Sequence, residues 1–125
     1  MRNLLCDTEK MAVFRKTARQ KMLREKQDQK IRREYSLLLA EKAAKMLKKR
    51  FGAKQVFLFG SLARNAVFDR LSDIDLAVWG MDGKMYYRAV SRLLDMDPET
   101  GFDLVMLENA SPGLLQQIQK EGQEL

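Results

Sequence analysis

Three aspartates and a glycine–serine pair are the residues in this sequence whose types and spacing could do chemistry. Asp73 and Asp75 stand two apart in DIDLAVWG, residues 73–80, a pattern that predicts a strand. On a strand such positions share a face, with α-carbons roughly 6.5–7 Å apart, together with Ala77 and Trp79. Two neighbouring carboxylates repel each other, and a divalent cation is the natural relief; a merely solvated strand face is the plain alternative. Asp103 lies in GFDLVML, residues 101–107, a third predicted strand. A charge among such apolar neighbours is costly unless paired or metal-bound. If the two strands lie side by side, three carboxylates can converge on one point. Two divalent ions bridged there suit in-line displacement at phosphorus. Gly60-Ser61 ends the apolar strand KQVFLFG, residues 54–60, and opens a helical stretch over 61–66. A helix N-terminus offers free N–H groups and partial positive charge to phosphate oxygens, and glycine permits close approach. An ordinary turn and cap is the alternative here. Taken together, the residues point to nucleotidyl transfer from a nucleoside triphosphate. Arg64 reads either as a phosphate contact or as a solvated helix-end arginine. Trp79 reads either as a wall of the nucleotide pocket or as a strand end, and Tyr86 and Tyr87 as core or rim.

These residues need a scaffold, and 125 residues provide one domain. The hydrophobic fraction is 46% and the charged fraction 32%, which suits a water-soluble globular chain and excludes collagen-like or wholly disordered classes. The apolar run Val56–Phe59 is far short of the roughly 20 residues of a membrane span. The opening Met-Arg-Asn-Leu-Leu-Cys lacks the apolar core of a signal peptide, so a cytoplasmic location and no membrane partner are expected. The chain has one cysteine, Cys6, and no histidine. That excludes an internal disulfide, the usual zinc sites and Ser-His triads. Any metal must then be oxygen-bound, which suits magnesium, with manganese as the alternative.

Residues 1–54 hold 17 Lys and Arg against 6 Asp and Glu, net +11, whereas residues 55–125 are net −5. The basic half has no Gly or Pro before Gly52. Asp7 or Thr8 is the expected cap of a helix with a stripe at Met11, Phe14, Ala18 and Met22. The stretch Arg24–Glu34 is nearly all polar, and the stripe resumes at Tyr35, Leu38, Leu39, Ala43, Met46, Leu47 and Phe51. Either one long helix or two helices meeting near 24–30 fits. A single helix over 8–51 would be roughly 65 Å long, at about 1.5 Å per residue, and would seek a partner. Residues 84–95 predict an amphipathic helix with Tyr86, Tyr87, Val90, Leu93 and Leu94 inward. Ser111-Pro112 caps a last helix with Leu114, Leu115 and Ile118 inward. The expected architecture is α/β (α+β): a small mixed sheet flanked by helices. It comprises a basic helical segment over 1–51, its inner part packed on the domain, and a catalytic domain over 52–125.

Gly60-Ser61, then Ser72-Asp73-Ile74-Asp75-Leu76-Ala77-Val78, then Phe102-Asp103-Leu104-Val105 resemble the minimal nucleotidyltransferase family of the DNA polymerase β superfamily. Eleven residues separate Ser61 from Asp73, within the range of that family's loops. The closing LLQQIQKEGQEL also resembles its last helix, so the resemblance covers residues 52–125. It implies the nucleotidyltransferase fold, with Gly60 and Ser61 on the triphosphate and Arg64 close to it. It also implies Asp73 and Asp75 on two magnesium ions, and Asp103 near the acceptor hydroxyl as a third carboxylate of the metal site. One departure is Ala63-Arg64-Asn65, where the family often reads Ala-Arg-Gly; Asn tolerates a left-handed backbone nearly as well as Gly.

A chain of this length is expected to leave little protein to hold a small-molecule acceptor. Within the family, the minimal members resemble the antitoxin half of two-gene modules, whose partner is a helical HEPN ribonuclease toxin. That resemblance implies transfer of AMP from ATP, or of another nucleotide from its triphosphate, to a tyrosine hydroxyl of the toxin. A rival is a binding antitoxin that has lost catalysis and works by contact. Another is nucleic-acid binding by the basic half, although Glu25, Asp28, Glu34 and Glu41 interleave its charges as on a solvated helix or a homo-oligomer contact.

Overall fold

The computed structural model describes the backbone of residues 4–125 and the side chains of residues 8–125. The element order is α1 (Leu4–Phe51), β1 (Gln55–Phe59), α2 (Gly60–Ala63), β2 (Ile74–Trp79), α3 (Tyr86–Met96), β3 (Phe102–Met106), α4 (Pro112–Glu121) and β4 (Gln123–Glu124). Of the two arrangements open for the basic half, the structure has the single helix. Asp7 and Thr8 lie within it rather than capping it, and the side chains of Cys6 and Asp7 lie outside the described residues. Gly52, at φ +71°, ends α1. The Ala53 N–H then reaches back to the Leu47 carbonyl at 3.2 Å, which satisfies one of the carbonyls left free at the helix end.

The chain divides into a unit ending at Ile31 and a unit from Arg32 to Leu125. Among the described residues of the first, every side chain from Thr8 to Ile31 is exposed. The second holds a four-stranded mixed sheet of order β3-β2-β1-β4. β1 pairs antiparallel with β2 and β4, and β2 pairs parallel with β3 through the α3 crossover. Among the described residues no helix is long and apolar enough to cross a membrane.

Strand alternation sorts the side chains onto two faces. Val56, Leu58, Ile74, Leu76, Val78, Leu104 and Met106 face one way and close the main core with α1 and α3. Phe57, Phe59, Ala77 and Val105 face the other way, where Ile118 and Leu114 of α4 pack on them.

Several expected core positions differ. The buried stripe of α1 is Ser36, Leu39, Ala40, Ala43, Ala44 and Leu47, while Tyr35 and Leu38 are exposed. In α3, Ala89 and Leu93 are buried, and Tyr87 and Leu94 are exposed. The small side chains let helix and sheet approach closely, so alanines occupy the contact and larger neighbours are left at its margins. The closing stretch is helical only to Glu121. Gln123 and Glu124 instead pair with Leu58 and Phe57 as the edge strand β4.

Candidate active site

The sheet topology brings the glycine–serine pair and the carboxylates to one end of the sheet. β1 runs antiparallel to β2, so its last residue, Phe59, pairs with Asp75. β2 and β3 run parallel, and their register sets Asp75 opposite Asp103. One row across the sheet therefore reads Phe59, Asp75, Asp103. The next row, Phe57, Ala77, Val105, is apolar and packs beneath α4. Asp73 precedes β2 by one residue instead of lying in it, and the following Ile74 N–H is fixed by the Gly101 carbonyl at 2.9 Å.

Two glycines make room for two of the carboxylates. Gly60 has φ +76°, a region that favours glycine. A Cβ built there would lie 2.0 Å from Asp75 Oδ2. A Cβ on Gly101 would lie 2.1 Å from Asp73 Oδ1. Any side chain at either glycine would displace the neighbouring carboxylate.

Asp75 sits half-buried between like charges. Its pKa is raised from 3.8 to about 6, chiefly by burial, then by the charges of Asp103 and Asp73, with Arg64 opposing. All three aspartates and Arg64 therefore share one electrostatic neighbourhood. Among the described residues, no group of three or more acidic or cysteine side chains could by itself enclose a metal ion.

The loop after Gly60 is held from several sides. The Arg64 N–H donates to the Gly60 carbonyl at 3.0 Å and the Ala66 N–H to the Ser61 carbonyl at 3.2 Å. Asn65 adopts φ 58°, so asparagine does supply the left-handed turn expected of it. Arg64 is exposed, with Nε 3.7 Å from Glu121 Oε2. Asp69 accepts from the Leu71 N–H at 2.9 Å and orders the approach to Asp73. Arg33 of α1 was not apparent from sequence. Its guanidinium donates to the Ala66 carbonyl at 2.8 Å and also to the Leu62 carbonyl, clasping the far end of α2. No local pattern announces a contact made 29 and 33 residues away. Trp79 pairs with Gln55 at the other end of β2, four residues and roughly 13 Å of strand from Asp75, so it is no neighbour of the carboxylates.

Among curated proteins, none matches the chain in sequence. Among solved structures, it resembles a toxin–antitoxin crystal structure with AMP-PNP, at 28% identity and a TM-score of 0.58, over 68% of this chain and 70% of that chain. It also resembles a tri-AMPylated Shewanella oneidensis HEPN toxin in complex with MNT antitoxin, at 27% identity and a TM-score of 0.54, over 70% and 69%. The MntA–HepT toxin–antitoxin crystal structure gives the same identity, TM-score and coverage. The family model of the polymerase β nucleotidyltransferases spans Glu41 to Leu125, taking in the turn, the row of carboxylates and both faces of the sheet, and the chain belongs to that family.

Proposed function

We propose that this chain transfers the nucleoside monophosphate of a nucleoside triphosphate, ATP, to a hydroxyl of a HEPN-type toxin, and thereby acts as its antitoxin. The observation that supports this most is the register that sets Asp75 opposite Asp103, with the Gly60 turn packed against Asp75. The kinship with toxin–antitoxin complexes, one holding an AMPylated toxin, supports the choice of nucleotide and partner.

In this reading Gly60 and Ser61 hold the triphosphate and Arg64 offsets its charge. Asp73, Asp75 and Asp103 suit a hard divalent cation: all are oxygen donors, and burial, then the neighbouring carboxylates, pushes Asp75 up to about 6. An open set without a closed protein cage also suits magnesium, which is usually held by one or two carboxylates plus substrate phosphates. Two magnesium ions, or manganese, would neutralise the triphosphate and make the acceptor hydroxyl more acidic. The acceptor oxygen bonds to the α-phosphorus as the bond from that phosphorus to the bridging oxygen breaks, and pyrophosphate leaves. Asp103 takes the hydroxyl proton and passes it to solvent.

The test is α-phosphate-labelled ATP supplied to the chain together with its HEPN-type partner. The label should appear on the partner, with a mass gain of one AMP, and Asp75→Asn should abolish it. Partner neutralised without any label would mean action by contact alone.

A further inference from the structure

We propose that one face of the N-terminal part of α1 is a docking surface for the phosphate backbone of duplex DNA, carried by Arg15, Arg19, Lys26 and Lys30.

Residues 8–31 hold eight Lys and Arg against three Asp and Glu, net +5. All of their side chains are exposed. Acids and cations interleave along the sequence, but the helix separates them. At 3.6 residues per turn, Arg15, Lys26, Arg19 and Lys30 share an arc of about 60°. Glu9, Glu25 and Asp28 lie outside that arc, by about 60°, 80° and 140°. Of residues 8–31, only Thr8 and Ala12 share the arc with the four cations.

These charges are unspent. Among the described residues the one ion pair joins Arg64 to Glu121, so the chain itself neutralises none of the four. Arg15 with Arg19, and Lys26 with Lys30, are like charges four residues apart, a spacing that costs a helix stability. A row of anions laid along the arc relieves that repulsion.

Charge and shape select the occupant. A second copy offers no acidic counterpart, because residues 32–125 hold 14 Lys and Arg against 13 Asp and Glu. A protein interface is depleted in lysine and has an apolar centre, which the arc lacks. A lipid surface needs a broad apolar face, whereas Val13, Leu23 and Ile31 fall outside the stripe of Met11, Phe14, Ala18 and Met22. Single strands are held by stacking bases on aromatic rings, and the arc has none. A helix about 10–12 Å across enters the major groove of B-DNA, about 12 Å wide, but not the narrow groove of A-form RNA. Arg15 to Lys30 span about 22 Å of axis, along which duplex DNA presents a phosphate about every 1.7 Å. The apolar stripe is centred roughly 90° round the helix, which leaves it open to another chain.

The probe is a labelled DNA duplex of about 20 base pairs, with the same sequence as duplex RNA and as single-stranded DNA. Each is titrated with the full chain and followed by fluorescence anisotropy. Duplex DNA should bind at least about tenfold tighter than either other form at about 50 mM salt, and log Kd should rise with log salt at a slope of about 4. The triple variant Arg15→Gln, Arg19→Gln, Lys26→Gln should lower that slope by about 3 and weaken binding about thirtyfold or more. Lys10→Gln, Lys21→Gln, Arg24→Gln removes the same charge from other faces and should weaken binding less than about threefold. Glutamine suits a helix about as well as lysine or arginine, and circular dichroism checks the helix content of both. Arg15→Lys with Arg19→Lys should bind as wild type, since a phosphate contact needs only the charge. Equal losses in the two triple variants would mean attraction to net charge alone and overturn the proposal. So would equal affinity for duplex RNA, or no binding of duplex DNA, with or without capture by phosphatidylglycerol vesicles. The comparison of DNA with RNA needs no variant, so it judges the surface even if a triple variant unfolds.

Discussion

Asp75 holds the greatest electrostatic strain in the site, and that strain has a sign that can be measured. Its folded pKa of about 6 exceeds the unfolded 3.8. The folded state thus favours the protonated form. The associated stability is fully present below the unfolded value and is lost as pH rises through about 6. The whole displacement corresponds to about 3 kcal/mol, and solvent screening of a half-buried group reduces it to on the order of 1 kcal/mol. Asp75→Asn should therefore melt roughly 3–5 °C higher than wild type at pH 8 without divalent ions. The gain should vanish near pH 3, where the Asp75 carboxyl is largely protonated in both the folded and the unfolded state. Calorimetry at the two pH values checks this, and an unchanged or lower melting point at pH 8 contradicts the argument from burial and like charge. Asp103 separates binding from chemistry. It pairs with Asp75 yet stands at the outer strand. Asp103→Asn should keep AMP-PNP affinity within about threefold and lose about a hundredfold or more in kcat. Equal losses in affinity and turnover would make it a plain metal ligand.

Among the elements, α2 is the smallest and the most dependent on others. Four residues cannot hold a turn alone, and Arg33 of α1 supplies two charge-assisted hydrogen bonds to its far end. Arg33 also lies outside the residues the family model spans. Arg33→Met should speed amide exchange over residues 60–72 and weaken AMP-PNP binding about tenfold, with little change in exchange along β2. Arg33→Lys should not restore it, since lysine lacks the fork that reaches two carbonyls. Unchanged exchange over 60–72 would show that the clasp does not hold the turn. The same elements show what was legible in the sequence. The phase of β2 was readable because Ile74, Leu76 and Val78 alternate with Asp75 and Ala77, and the stop at Gly52 because glycine follows the apolar stripe. β4 was not: Gln123 and Glu124 have no apolar pattern, and only pairing with β1 makes them a strand. Nor were Ala40, Ala44 and Ala89 singled out, because patterns weighted toward large side chains overlook the alanines on which helices settle. The pairing of Asp75 with Asp103 needed a register that no local signal supplies.

At the scale of the molecule, burial and charge are unevenly shared. The core closes with residues from Leu39 onward, together with buried Ser36. The described residues from Thr8 to Ile31 bury no side chain at all. Phe14 is 68% exposed, and Met11 and Met22 share its stripe at helical spacing. A long helix with an exposed apolar stripe and a net basic charge gains little from its own chain, because most helical stability in proteins comes from packing one face. We expect residues 8–23 to meet another chain, either a second copy or the partner. Deleting residues 1–23 should then leave the melting point within about 2 °C of the full chain and AMP-PNP affinity unchanged, while lowering the order of assembly. Light scattering of both forms, alone and with the HEPN-type partner, decides the matter. Identical subunit numbers for the two forms in both settings would remove the assembly role. A truncated chain that fails to fold would place the segment in the core, against the complete exposure of its side chains.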